Sequence, residues 1–154
     1  IKKGDIRICF IFVGIEIINS IIFLYVLETL GLNLSSNNVT SQFSSPIVLV
    51  IIPLQLLGEQ MILIGTFLFS LASLKILIKN SLIYVSFALV STGIIFGLLH
   101  LLAYNWNLLH CVLIIGIPCI WQIAVYIYTR NILISFITHT LFDLFVFTLF
   151  FIHK

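Results

Sequence analysis

Apolar positions in this chain do not alternate with polar ones. They fall in long, nearly unbroken runs separated by short polar breaks. A helix needs about 20 apolar residues to cross a hydrocarbon core of roughly 30 Å at about 1.5 Å per residue. Five such segments are predicted: Ile6–Leu30, Pro46–Ile78, Ser81–Tyr104, Leu108–Tyr128 and Ile132–Phe151. The second is too long for one straight span. Pro53 and Gly58 give it places to bend, so it is expected to start as a shallow surface segment and to enter the membrane after Pro53. The pattern predicts an all-α polytopic membrane bundle of about five transmembrane helices. No repeat and no soluble appendage is visible, so residues 1–154 read as a single membrane domain.

Composition supports this. The chain is 62% hydrophobic with a mean hydropathy of +1.29. Charged residues are 8% of it, against about 25% in an average soluble domain, which excludes an ordinary water-soluble globule. A net charge of +2 is too small to point to nucleic acid as a partner. The placement of the charges says more. Lys2, Lys3 and Arg7 mark the first end, Lys75 and Lys79 the break between spans two and three, and Arg130 the break between spans four and five. By the positive-inside rule these three places are cytoplasmic, and alternation then holds through all five spans, with His153 and Lys154 outside. Tyr104, Trp106 and Tyr128 stand where interfacial aromatics are expected. The Ile-, Asn- and Lys-rich composition points to an AT-rich genome. The expected location is a bacterial plasma membrane with a cytoplasmic N-terminus.

Three further features change the picture little. Cys9, Cys111 and Cys119 form no CxxC or CxxH pattern and read as small buried hydrophobes. The chain starts at Ile1, which suggests a fragment or a processed product. Its basic start resembles a signal peptide, but the long run holding Glu16 reads better as a retained span. Asn38-Val39-Thr40 has the form of a glycosylation sequon, a tripeptide common by chance, and carries no argument.

The candidate chemistry lies in the few ionisable groups inside the apolar runs. Such a group costs roughly 2.5–3.5 kcal/mol at a helix centre, so it pairs, lines a cavity or does chemistry. Glu59, in the second span, is suited to act as a general base from a walled-off pocket; alone, it reads equally well as a buried neutral carboxyl. Phe96 and His100 are four apart and share a helix face, with Gly97 allowing a neighbouring helix to approach. His139 and Asp143 are also four apart, so the carboxylate can accept a hydrogen bond from the imidazole and fix its tautomer. His110 and His153 lie near expected interfaces and read as structural. Glu16, with Asn19 and Ser20 one turn on, fits no catalytic spacing and reads as a structural partner of another helix.

Taken in order, these residues resemble the CAAX prenyl protease 2 / bacteriocin-processing (Abi, CPBP) family of intramembrane proteases. That family carries Glu-Glu-x-x-x-Arg, then Phe-x-x-x-His, then His-x-x-x-Asn or His-x-x-x-Asp. The segment around Glu59-Gln60 resembles the first motif, Phe96 to His100 the second, and His139 to Asp143 the third. The likeness runs over about residues 53–147. Gln60 stands where the family has its second glutamate and Ile64 where it has arginine. The two departures compensate electrically, since a neutral amide needs no cation beside it.

The resemblance implies an intramembrane endopeptidase acting on a membrane-bound or lipidated, CAAX-like or bacteriocin-like peptide, with the bilayer as its surroundings. Glu59, helped by His100, would activate a water; His139, held by Asp143, would stabilise the oxyanion or protonate the leaving amine. Gln60 and Phe96 would be accessory. Glu59, His100 and His139 are also the side chains a zinc ion would take. No HExxH pair fixes two ligands on one helix, and we favour metal-free water. The departures at Gln60 and Ile64 leave a second reading: an inactive homologue that serves as a bacteriocin-immunity or partner-binding membrane protein.

Overall fold

A computed structural model describes residues 3–32 and 48–152. The polar loop at residues 33–47, with the Asn38–Thr40 tripeptide and the expected start of the second span at Pro46, lies outside the described residues. So do Lys2, His153 and Lys154.

The described chain is helical. Helix α1 is Lys3–Thr29, α2 is Val48–Leu77, α3 is Ser81–Leu99, α4 is Ile117–Thr129 and α5 is Ile132–Ile152. A π-helical segment, His110–Gly116, leads directly into α4. Four stretches are long and apolar enough to cross a membrane: Gly4–Thr29, Ile51–Leu77, Ser81–Leu99 and His110–Thr129. The apolar part of α5 is shorter, Ile132–Val146. The protein is a polytopic helical membrane bundle.

Three features differ from expectation. Helix α2 is one unbroken helix from Val48 to Leu77, with Pro53 inside it. Pro53 falls in the second turn, where only one ladder hydrogen bond is lost, so no separate surface segment is needed. Helix α3 ends at Leu99, with His100 as its C-cap, instead of running to Tyr104. Residues 100–106 form turns, with Asn105 and Trp106 at positive φ. The fourth span is helical from Leu108, as expected, but its His110–Gly116 stretch is a π segment that hydrophobic patterning does not reveal.

Local signals set the two hairpin turns. Asn80 caps α3, its side-chain oxygen accepting from the Leu82 and Ile83 amides at 3.0 and 3.3 Å. Asn131 serves α5 in the same way, accepting from the Leu133 amide at 3.0 Å, after Arg130 has closed α4 in the left-handed region.

The bundle has an apolar outer surface, and its interior mixes apolar side chains with enclosed polar ones. Its outer surface shows Phe10, Phe69, Ile76 and Leu82, each more than 60% exposed. Its buried positions include Glu16, Gln60, Thr92, Gln122, Ser135, Thr138 and His139. Lipid accepts the first set at no cost, and the second set must be enclosed.

Helix α2 packs on α3, α3 on the π segment and α4, and α1 against α4 and α5; α2 also meets α5. One apolar cluster joins Leu63, Ile64 and Phe67 of α2, Ala88 and Phe96 of α3, and Cys119 and Ile123 of α4. A second joins Cys9, Val125 and Ile134. The three cysteines are buried and unpaired. Close approach of α3 to the π segment depends on glycine. A Cβ on Gly93 would lie 2.7 Å from the Gly116 carbonyl oxygen, and one on Gly97 would collide with the Cys111 carbonyl.

Candidate active site

Hairpin register explains how Glu59 and His100 meet. Glu59 stands 18 residues before the end of α2, and His100 stands 19 residues after the start of α3. At about 1.5 Å per residue both lie roughly 27–29 Å from the Ile78–Asn80 turn. The Glu59 Oε2 to His100 Nε2 distance is 3.7 Å. Glu59 and His100 are therefore level, and the difference in depth falls on α5. His139 is only seven residues into that helix, yet its Nε2 is 4.0 Å from Glu59 Oε2. The Arg130 turn accordingly lies much nearer the site than the Lys79 turn.

Four groups thus share one place. Glu59 Oε2 faces both histidines, and His139 Nε2 also faces Asp143 Oδ2 at 3.6 Å. The side chains of Glu59, His100 and Asp143 are 20–24% exposed, whereas His139 is 5% exposed. The cluster has an open side formed by the first three and a closed back formed by the last. Separations of 3.6–4.0 Å exceed the 2.7–3.2 Å of a direct hydrogen bond, and one water can reach two such atoms at once.

Each member has a positioning contact. Gln55, one turn before Glu59, donates its amide to Glu59 Oε1 at 2.8 Å, leaving Oε2 aimed at the histidines. His100 Nδ1 lies 2.9 Å from the Phe96 carbonyl oxygen, and the two rings stack tilted with centroids 4.8 Å apart. A carbonyl oxygen only accepts, so His100 Nδ1 carries a proton, and Nε2 faces Glu59.

His139 is held differently from expectation. Asp143 is near its Nε2 but beyond hydrogen-bond range; the contact at hydrogen-bond distance is Nδ1 to Gln60 Oε1, 3.2 Å. Gln60 is fully buried. Its amide donates to Ser135 Oγ at 2.8 Å, and Ser135 Oγ donates to the Gln122 carbonyl at 2.6 Å. Ile64, one turn beyond Gln60, is buried in the apolar cluster with Phe67 and Ile123. A neutral Gln60 thus sits one turn from a buried apolar residue 64.

Sequence reading missed Gln55, Ser135 and Gln122. For two of them a signal exists: Gln55 is four before Glu59 and Ser135 four before His139, so each shares a helix face with a site residue. Nothing in the sequence marks Gln122, whose contribution is a backbone oxygen.

Glu16 is not part of this cluster. It is fully buried on α1, beside the Gln122 side chain and within electrostatic reach of Asp143. Among the described residues neither of its carboxyl oxygens has a partner in good hydrogen-bond geometry, nor do Asn19 Oδ1, Ser20 Oγ or Gln122 Oε1. His110, 8% exposed, opens the π segment and stacks on Tyr104 at 4.4 Å between centroids. Among the described residues no group of three or more His, Cys, Asp or Glu side chains has the arrangement of a metal site. The 3.7 and 4.0 Å separations also exceed the roughly 3.4 Å between ligands on a zinc tetrahedron with bonds of about 2.0–2.1 Å.

A helical bundle with an enclosed carboxylate–imidazole cluster has groups that can hold a polar reactant within lipid. Comparison with known proteins narrows this. The family model for the type II CAAX prenyl endopeptidase Rce1-like group matches residues 41–145, and the chain belongs to that family. At family level it is a CAAX-type intramembrane protease. No curated protein and no solved structure matches the chain.

Proposed function

We propose that this protein hydrolyses a peptide bond in a membrane-bound or lipidated substrate by water activated at Glu59. The observation that carries the proposal is the convergence of Glu59 Oε2 and His100 Nε2, 3.7 Å apart on the open side of the cluster. In the reactive state His100 is neutral with its proton on Nδ1, both facing atoms accept, and water donates twice. Glu59 takes one proton as the water oxygen attacks the peptide carbonyl, and His100 holds the second O–H. The proton taken by Glu59 passes to the leaving amine through His139, 4.0 Å away. The C–N bond breaks and the carbonyl carbon becomes a new carboxylic acid, which keeps the second O–H proton until it ionises to solvent.

The spacing of the groups favours metal-free chemistry, and no step here runs through an ion. The bacterial plasma membrane and a cytoplasmic N-terminus belong to the same proposal, supported by the positions of Arg7, Lys79 and Arg130. A second reading, an inactive binding or immunity protein, draws on Gln60 and Ile64.

The test uses purified protein in lipid nanodiscs with lipidated peptides of CAAX-like and bacteriocin-like sequence. Cleavage that survives prior chelation and is lost in Glu59→Gln supports the proposal. Cleavage retained in Glu59→Gln rejects Glu59 as the base, and loss on chelation with recovery by zinc rejects the metal-free route. Tight peptide binding with no cleavage by the unaltered protein establishes the second reading.

A further inference from the structure

The hydrogen bonds behind His139 have a determined direction. The Gln122 carbonyl at the end of the chain can only accept, so the Ser135 hydroxyl spends its proton there, at 2.6 Å. Ser135 Oγ must then accept from Gln60 Nε2, at 2.8 Å. This fixes which way the Gln60 amide points, and its oxygen faces His139 Nδ1 at 3.2 Å. Nδ1 must therefore be the protonated nitrogen of a neutral His139. Its Nε2 is left with a lone pair toward Glu59 Oε2 and Asp143 Oδ2, at 4.0 and 3.6 Å. Every atom in the relay is buried: Gln60, Ser135 and His139 are 0, 0 and 4% exposed, and Gln122 3%. Water does not compete with the fixed direction.

We propose that Gln60 and Ser135 are positioning residues that hold resting His139 as a proton acceptor at Nε2. The consequence for turnover rests on the hydrolytic reading above. A histidine with no proton on Nε2 has nothing to donate to an oxyanion when the substrate arrives. It first receives the proton that Glu59 takes from water, and then delivers it to the leaving amine. Asp143, near Nε2, stabilises the imidazolium that exists between those two transfers. The neutral Gln60 favours the neutral resting ring, which a glutamate at the same position would push toward the charged form.

The experiment reads the tautomer directly, by 15N spectra of histidine-labelled protein in nanodiscs, with the His139 signals assigned by their loss in His139→Gln. The expected spectrum has the protonated nitrogen at Nδ1. Ser135→Ala, nearly isosteric, frees the Gln60 amide to turn over and present its NH2 group. The spectrum should then show protonation at Nε2, with kcat lowered about tenfold and KM unchanged. Ser135→Thr, which keeps the hydroxyl, should restore both. Gln60→Glu should keep the proton on Nδ1 and move the acid limb of the pH–rate profile upward, because the carboxylate stabilises the imidazolium. A proton on Nε2 in the unaltered protein overturns the proposal. So does a Ser135→Ala protein with unchanged spectrum, and a changed spectrum with unchanged kcat overturns the link to turnover. The spectra need no substrate. Absent proteolysis would therefore fail the hydrolytic reading while leaving the tautomer assignment to be judged on its own.

Discussion

Two glutamates lie inside this bundle, and their surroundings differ in kind. Glu59 is about one-fifth exposed, one oxygen is held by Gln55, and the other faces two imidazoles. Glu16 is fully buried, and among the described residues neither of its oxygens has a partner in good hydrogen-bond geometry, although Gln122 lies beside it. Both sit in apolar helices that read as spans. A carboxyl group in a membrane helix is thus not a site by virtue of its cost. What sets Glu59 apart is an aperture and a second set of groups from other helices that point at the same volume. Glu16 has burial without either.

The largest effect that separates the two is expected from Glu59→Gln, which removes the base while leaving shape and the Gln55 contact nearly intact. Hydrolysis of a lipidated peptide should fall by about a thousandfold or more, toward background, with membrane insertion unchanged. His100→Ala comes next, at about a hundredfold in kcat, because the water loses its second acceptor but keeps Glu59. Gly97→Ala sharpens the comparison from the side of packing. Its new methyl meets the Cys111 backbone, so α3 must move from the π segment and carry His100 with it. A loss of about 1–3 kcal/mol of stability should appear in thermal unfolding, with a smaller loss of kcat. Asp143→Asn should lower kcat about tenfold by weakening support for a charged His139. The smallest effect belongs to Glu16→Gln, which should leave kcat within about twofold and hold or raise the melting temperature, since it removes an acid enclosed without partners. An activity loss there as deep as for Glu59 would erase the distinction drawn above.

Much of the site was legible because helices make spacing predictive. The pairs Phe96–His100 and His139–Asp143 share faces at a separation of four. Five helices follow from the apolar runs, and the family from three motifs in order. What was not legible depends on tertiary placement. The level of α5 relative to α2 follows from its packing against α1, α2 and α4, so the approach of His139 to Glu59 could not be counted out. The π geometry at His110–Gly116 coincides with the close pass of Gly93 and Gly97 on α3, a tertiary contact that no local spacing marks. Asp143 seemed the natural partner of His139 because it lies on the same helix. Gln60, 79 positions away, takes the nitrogen instead, and only the fold brings it there.

The measurement that bears most directly on water activation at Glu59 is a single turnover in H2(18)O, with protein in excess over a lipidated peptide. The account predicts one 18O atom in the new C-terminal carboxylate of the product at the first turnover. Product formed without the label in that turnover would mean that an enzyme oxygen made the bond, and would contradict Glu59 as the base for an attacking water.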